Sequence, residues 1–500
     1  MSLQRFPART LRLVLAAAAA LGAWGGAAQA EVVTLGPFPT ALPNCPDPLL
    51  PGKCAVDTGA QVVGIVGNLA AVRIGQSGQG SLLIGDGANL IVTRQDLATG
   101  VPWVPDVVVG DNVGSSASLV VRGSGRLDIA VPADKPFNGG LIVGAFAAPA
   151  LNPALSTTMS ILDGGRVNVQ KPGGITVGSA VFVGQGAGSN SSLVLDGGIG
   201  GFGNQALGAR LDTTGNLSIG RLGTGSVGLA RNADVTANLV LMSTVRESGI
   251  SGTSFLAVGH NSTVTAQGIY AGIGLGGPNG YDPNSPNHGT ASISVRETGF
   301  ISADIVLGTG GTLMGTGSVG GSVANFGGTI RPGFSPGTLH FADDFRDVGG
   351  HIEIEIGGPN NSDFLDVAGD LSLKGTSIEF KFIDGFAPAA GFSYDFIDAD
   401  GSVLIGTDGA DKVTYSFSGL KPGFLFDVSD AAGVLTFTAR SDGTSVPEPG
   451  LPALLGVAAL GAWATRRRRN RQAPSAGDIA RWRQPINTPA SRSAWISPSR

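Results

Sequence analysis

Ser81-Leu-Leu-Ile-Gly-Asp-Gly-Ala-Asn-Leu-Ile-Val92 and Ser118-Leu-Val-Val-Arg-Gly-Ser-Gly-Arg-Leu-Asp-Ile129 are two copies of one unit. In each, a run with alternating apolar residues meets a polar, glycine-containing turn, and a second alternating run follows. Period-two alternation marks a strand with one buried face. Asp or Ser beside Gly is turn chemistry, because the short side chain bonds its own backbone and glycine accepts a positive φ. The unit recurs as Met159-Ser-Ile-Leu-Asp-Gly-Gly-Arg-Val-Asn-Val169 and Ile293-Ser-Val-Arg-Glu-Thr-Gly-Phe-Ile-Ser302. Seven copies align on Ile84, Val121, Ile161, Leu195, Leu229, Val258 and Val295, at spacings from 29 to 40 residues.

A second strand end precedes each copy, at Ile74-Gly75, Val109-Gly110, Val143-Gly144, Val183-Gly184, Ile219-Gly220 and Ala271-Gly272; only the copy near Leu241 lacks the glycine. No single unit can bury its apolar face, but stacked units can. The expected fold is therefore all-β, a parallel β-solenoid with variable loops such as 145–158 and 274–289 outside; sandwich and propeller packings remain alternatives. The composition agrees: 81 Gly, 14% charged and 6% aromatic residues suit many tight turns between short strands, and the glycines lack the collagen period.

Charge is unevenly placed. Residues 31–465 hold 20 basic against 36 acidic residues, so this body repels phosphates and nucleic-acid binding is not expected. The basic residues concentrate at the two ends. Arg5, Arg9 and Arg12 precede the apolar run Leu13 to Trp24 and the small-residue site Ala28-Gln29-Ala30. That is a signal peptide, with cleavage after Ala30 and a mature chain starting at Glu31. Export to an oxidising compartment makes a Cys45–Cys54 disulfide the expected state of the chain's two cysteines.

At the other end, Val446-Pro447-Glu448-Pro449 leads into an apolar run from Leu451 to Thr465, then Arg466, Arg467, Arg468 and Arg469. The run is short for a spanning helix, but arginines snorkel, and positive charge after it places its C-terminal side in the cytoplasm. Motif, helix and arginines together resemble the PEP-CTERM sorting signal of bacteria that make exopolysaccharide. The resemblance implies export through the Sec machinery, an inner-membrane intermediate, recognition of Pro447, Glu448 and Pro449 by an exosortase, and release to the cell surface or matrix. One departure is the polar tail 472–500, since the family's signal usually stops soon after the arginines.

Gly311 to Leu339, with the core Pro332-Gly-Phe-Ser-Pro-Gly-Thr-Leu339, resembles the passenger-associated repeat of autotransporters and implies a right-handed β-helix. An outer-membrane barrel of a dozen strands would need about 250 residues, and about 100 separate Leu339 from the sorting signal, so the chain is not expected to carry one. Those residues, rich in Phe and charge, are expected to form a β cap. The expected organisation is thus 1–30 signal peptide, 31–60 N-terminal cap, 61–340 solenoid, 341–440 C-terminal β cap, 441–471 sorting signal with a helix over about 450–465, and 472–500 tail.

No catalytic site is legible. His260, His288, His340 and His351 are scattered, without a nucleophile elbow or a zinc-protease motif. Asp86, Asp163 and Asp196 recur beside Gly and read as turn formers. No cofactor is expected; calcium is the one weak candidate, on Asp398-Ala-Asp400-Gly401 in the acidic stretch from Asp343 to Asp442. The expected function is a non-catalytic, adhesin-like or structural surface protein linked to exopolysaccharide or biofilm. The alternatives are a β-helix polysaccharide lyase or hydrolase, marked by two carboxylates and a basic residue in a groove, and a self-associating layer protein, marked by a flat, loop-poor face.

Overall fold

A computed structural model describes residues 53–441, apart from the segments 57–65, 94–106, 131–139, 145–155, 171–178, 199–207, 244–251, most of 275–287 and some shorter gaps. Each turn of the chain contributes three strands. Ser156–Leu162, Arg166–Gln170 and Ser179–Val183 make one rung, and Asn190–Asp196, Arg210–Thr213 and Asn216–Ile219 make the next. Corresponding strands pair in parallel from rung to rung, giving three stacked faces around one core. The fold is therefore an all-β parallel solenoid.

The first face is a single sheet of 12 parallel strands from Gln79–Ile84 to Thr414–Ser418. The second and third faces merge into one network because Thr263–Ala271 and Phe300–Leu307 each run through both. Among the described residues there is no α-helix, and hence no helix long and apolar enough to cross a membrane; one 3-10 turn spans Gly409–Asp411.

Alternation explains the core. The seven positions aligned from sequence are direct register partners: Ile84 with Val121, Val121 with Ile161, and on through Leu195, Leu229, Val258 and Val295. All are buried, each stacked on the one below. Burying such a side chain contributes about 1.5–3 kcal/mol, and no rung supplies the covering surface for its own. The third-face strands Val107–Val109 and Leu141–Val143 are buried on both sides, and Val108, Ile142 and Phe182 form a small second cluster outside the main core.

The recurring glycine marks the corner from the third face back to the first. There the backbone is left-handed, with φ of +73° at Gly110, +79° at Gly144, +75° at Gly184, +62° at Gly220 and +64° at Gly272. Space is also short: a Cβ on Gly144 would meet the Ser191 hydroxyl, and one on Gly220 the Thr253 carbonyl oxygen. The copy without glycine places Ser243 at this corner with φ +51°, fully buried. Its hydroxyl lies 2.7 Å from Ser254 Oγ and donates to the Thr290 carbonyl at 2.8 Å. Left-handed backbone costs a residue with a Cβ about 1–2 kcal/mol, and two hydrogen bonds of about 1 kcal/mol each offset it.

Parallel stacking runs through the expected 340/341 boundary without a break. Thr338–Phe341 pairs with Ser318–Val319 on one side and Phe364–Val367 on the other, and His351–Ile356 and Ser377–Phe382 extend the first face in register. Among the described residues, antiparallel ladders occur at the end, where Val434–Ala439 lies between Ser393–Ala399 and Phe426–Ala431; elsewhere antiparallel pairing is limited to single bridges such as Gly315 with Gly333. Phe380, Phe382, Phe396, Phe424 and Phe437 pack beneath it, with ring centroids 4.9–6.1 Å apart for the closest pairs, and close the last rung.

Two glycines separate the corner requirement from mere smallness. Gly220→Ala should lower unfolding stability by about 2–4 kcal/mol, from left-handed strain plus the clash with Thr253. Gly228→Ala, on an outward position with nothing within 4 Å of the added carbon, should change it by less than about 0.5 kcal/mol. Denaturant titration of both variants checks the pair.

Candidate binding face

On the first face, outward positions alternate with the core column and fall into straight columns of their own. Ser118, Thr158, Ser192, Ser226, Phe255, Ser292 and Thr312 are successive register partners, one per strand. The column two residues earlier holds Asn190, Thr224, Thr253 and Thr290. Two residues later lie Val120, Ser160, Val194, Gly228, Ala257, Ser294 and Met314. All of these side chains are partly or fully exposed, and none is charged. Strands about 4.8 Å apart therefore present short hydroxyl and aliphatic groups in a regular array. No strand pairing in this sheet carries a bulge, whereas the other faces shift register at Ser179/Val181 and Thr265/Gly268.

The same face changes character from Thr329–Pro332 onward. Arg331 pairs with Glu353 at 3.2 Å, Lys381 with Glu353 at 3.3 Å and with Glu355 at 2.9 Å, and His351 Nε2 lies 3.6 Å from Glu379 Oε2. The Glu355 carboxylate, accepting a hydrogen bond from Lys381, holds that ammonium above its usual pKa. His351, Glu353 and Glu379 bring one donor atom each within 4.8 Å of one another, a set a divalent cation could use. Glu353, however, is already shared by Arg331 and Lys381, and the group reads as an ion-pair ladder on an open sheet. Two carboxylates and a basic residue do meet here, on the outward side of the sheet.

Several other charged groups hold corners. Asp196 accepts the Gly198 N–H at 3.0 Å and pairs with Arg231, and Asp163 sits at φ +50° in its turn. Asp304, Asp344 and Asp370 each accept a backbone N–H of the next rung, at 2.7–3.0 Å, from Ser322, Asp370 and Ser402. Asn325, Asp347 and Thr376 form a buried ladder across three rungs, with Asp347 Oδ2 2.6 Å from Asn325 Nδ2 and Oδ1 2.7 Å from Thr376 Oγ1. Burial pushes the Asp347 carboxyl up despite these donors. At His260, Thr298 Oγ1 and Glu297 Oε2 approach the same nitrogen, Nδ1, at 3.0 and 3.7 Å; a nucleophile triad needs the hydroxyl and the acid on opposite nitrogens.

Asp363 organises the Pro332–Leu339 segment. Its Oδ1 accepts the Gly337 N–H and its Oδ2 the Glu355 N–H, both at 2.9 Å, and Tyr394 donates to its carbonyl. A Cβ on Gly333 would strike this carboxylate, so the Pro-Gly-x-Ser-Pro-Gly pattern is that of a turn wrapped around a buried acid. Burial, with Glu355 and Glu353 nearby, raises the Asp363 carboxyl to about 7.

Cys54 lies in Lys53–Val56, which pairs in parallel with Ala71–Ile74. Cys45, the cleavage residues Ala28 and Ala30, the motif Val446 to Pro449 and the arginines 466–469 lie outside the described residues. The outward columns were missed in the sequence, although the recurring Ser/Thr-x-Ser/Thr at strand starts, as in Thr224-Gly-Ser226 and Thr290-Ala-Ser292, carries the signal.

Fold and face together define a parallel β-solenoid with one ordered, uncharged flank and one ion-paired end. A scan against protein-family models matches none, and a search of the curated proteins returns no relative.

A raised carboxyl binds its proton more tightly in the folded state, so Asp363 stabilises the fold most below its unfolded pKa, about 3.9. That contribution fades as pH rises towards 7. Its size is on the order of a few kcal/mol. Thermal unfolding midpoints from pH 4 to 8 should show this loss in the native chain, and Asp363→Asn should flatten that part of the curve.

Proposed function

We propose that this chain is an exported, exosortase-sorted surface or matrix protein with a structural or adhesin-like role and no catalytic one. The observation that carries the reading is the part of the first face from Ser116–Arg122 to Gly311–Gly315, whose regular, uncharged outward columns are of the kind that makes extended contacts rather than enclosing a small substrate. The ends of the sequence supply the address: a signal peptide ending at Ala30, Val446 to Pro449 as the sorting motif, and one membrane helix stopped by Arg466 to Arg469. In this reading the coil is right-handed, as the resemblance of Gly311 to Leu339 implies, and matrix exopolysaccharide or neighbouring cells are the surroundings in which it works.

Cell fractionation with intact-mass measurement, in cells with and without the exosortase, tests the sorting. The expected product begins at Glu31, ends near Pro449 and reaches the surface only when the exosortase is present. A product that keeps Arg466 to Arg500 in the inner membrane under both conditions would overturn it.

A further inference from the structure

We infer that the uncharged part of the first face is the docking surface for a second copy of this chain, paired face to face. The inference rests on the structural reading above and names the partner of that face.

Electrostatics restricts where two copies can meet. The body carries 20 basic and 36 acidic residues, so most approaches bring like charge together. From Ser118 to Met314 the three outward columns offer a patch with no charge to repel or desolvate. Soluble surfaces ordinarily intersperse charges that prevent this kind of contact.

Size and shape agree. Two outward columns over the seven strands from Ser116–Arg122 to Gly311–Gly315, and a third over the four strands from Asn190–Asp196 to Thr290–Val295, at about 4.8 Å per strand and about 7 Å per column, give about 600 Å² per copy. Two such patches bury about 1,200 Å², the lower end of the range of stable protein interfaces. The sheet has no bulge here and its side chains are short, so two copies can approach closely. Phe255 is the one large group in the middle column; the open space over Gly228, on the neighbouring strand, is a seat for the partner's ring.

A dissolved glycan is less well served by this surface. Its hydroxyls would exchange water for Ser and Thr at little net gain; the patch has one aromatic ring, and the hollow lined by Asn190, Thr224 and Thr253 lies at its edge and is open to solvent. The ion-pair ladder that begins at Arg331 ends the neutral zone and sets a limit to the overlap.

Sedimentation of the full chain in mild detergent tests this, with Thr158→Glu/Ser192→Glu/Ser226→Glu, the matching triple Lys variant, and Ser302→Glu on another face as control. The native chain and the control should dimerise. Each triple variant should dissociate about a hundredfold more readily, and a mixture of the two should pair again. If a triple variant loses its strand circular dichroism, Ser226→Glu with Ser226→Lys replaces the pair. A monomeric native chain, association indifferent to these charges, or a monomer whose face retains insoluble neutral polysaccharide and loses it on Glu substitution would each overturn the inference. Surface delivery is measured separately, so a failure of sorting leaves this outcome intact.

Discussion

Everything in this fold depends on rungs lying in strict parallel register, because each rung buries its apolar side chains only on its neighbours. Ile161 has no core without Val121 on one side and Leu195 on the other. Register is held at the corners, where left-handed backbone at Gly110, Gly144, Gly184 and Gly220 turns four successive rungs at the same place. Asp304, Asp344 and Asp370 tie another set of corners by accepting N–H groups from the rung that follows. At these corners, polar side chains therefore serve to align the aliphatic stacks.

The core was legible because inward positions are mostly apolar at period two, with Thr157, Ser191 and Ser254 as buried exceptions on the first face, and the sequence alignment of Ile84 through Val295 matches the hydrogen-bonded register. The glycine corner was legible too, and its one exception, Ser243, shows what the position demands: a compact residue able to bond within a crowded turn. The third face was harder to see. Strands of three residues buried on both sides, such as Val107–Val109, show no alternation. The end of the solenoid was misplaced because Phe and charged residues replace Gly and Ser after 340. Yet His351-Ile-Glu-Ile-Glu-Ile356 keeps the same period, and its backbone pairs as before.

The outward columns were invisible for a different reason. A Ser or Thr at a solvent-facing strand position is unremarkable by itself, and only register shows that Thr158, Ser192 and Ser226 stand in line. The face then divides in two: a neutral stretch, and a stretch where Arg331, Glu353, Glu355 and Lys381 neutralise one another. These half-buried pairs leave few lone charges on that part of the sheet.

The closing hairpin has a mechanical meaning. Strands of the coil lie across its axis, so a pull along the axis would peel rungs off one bond at a time. The last strand, Val434–Ala439, is instead flanked on both sides by antiparallel partners and anchored by Phe437 among the other rings. A pull directed along that strand would load both ladders in shear, many bonds together, whereas a pull along the coil axis would still peel it. The resistance of this end of the coil therefore depends on the direction from which force arrives.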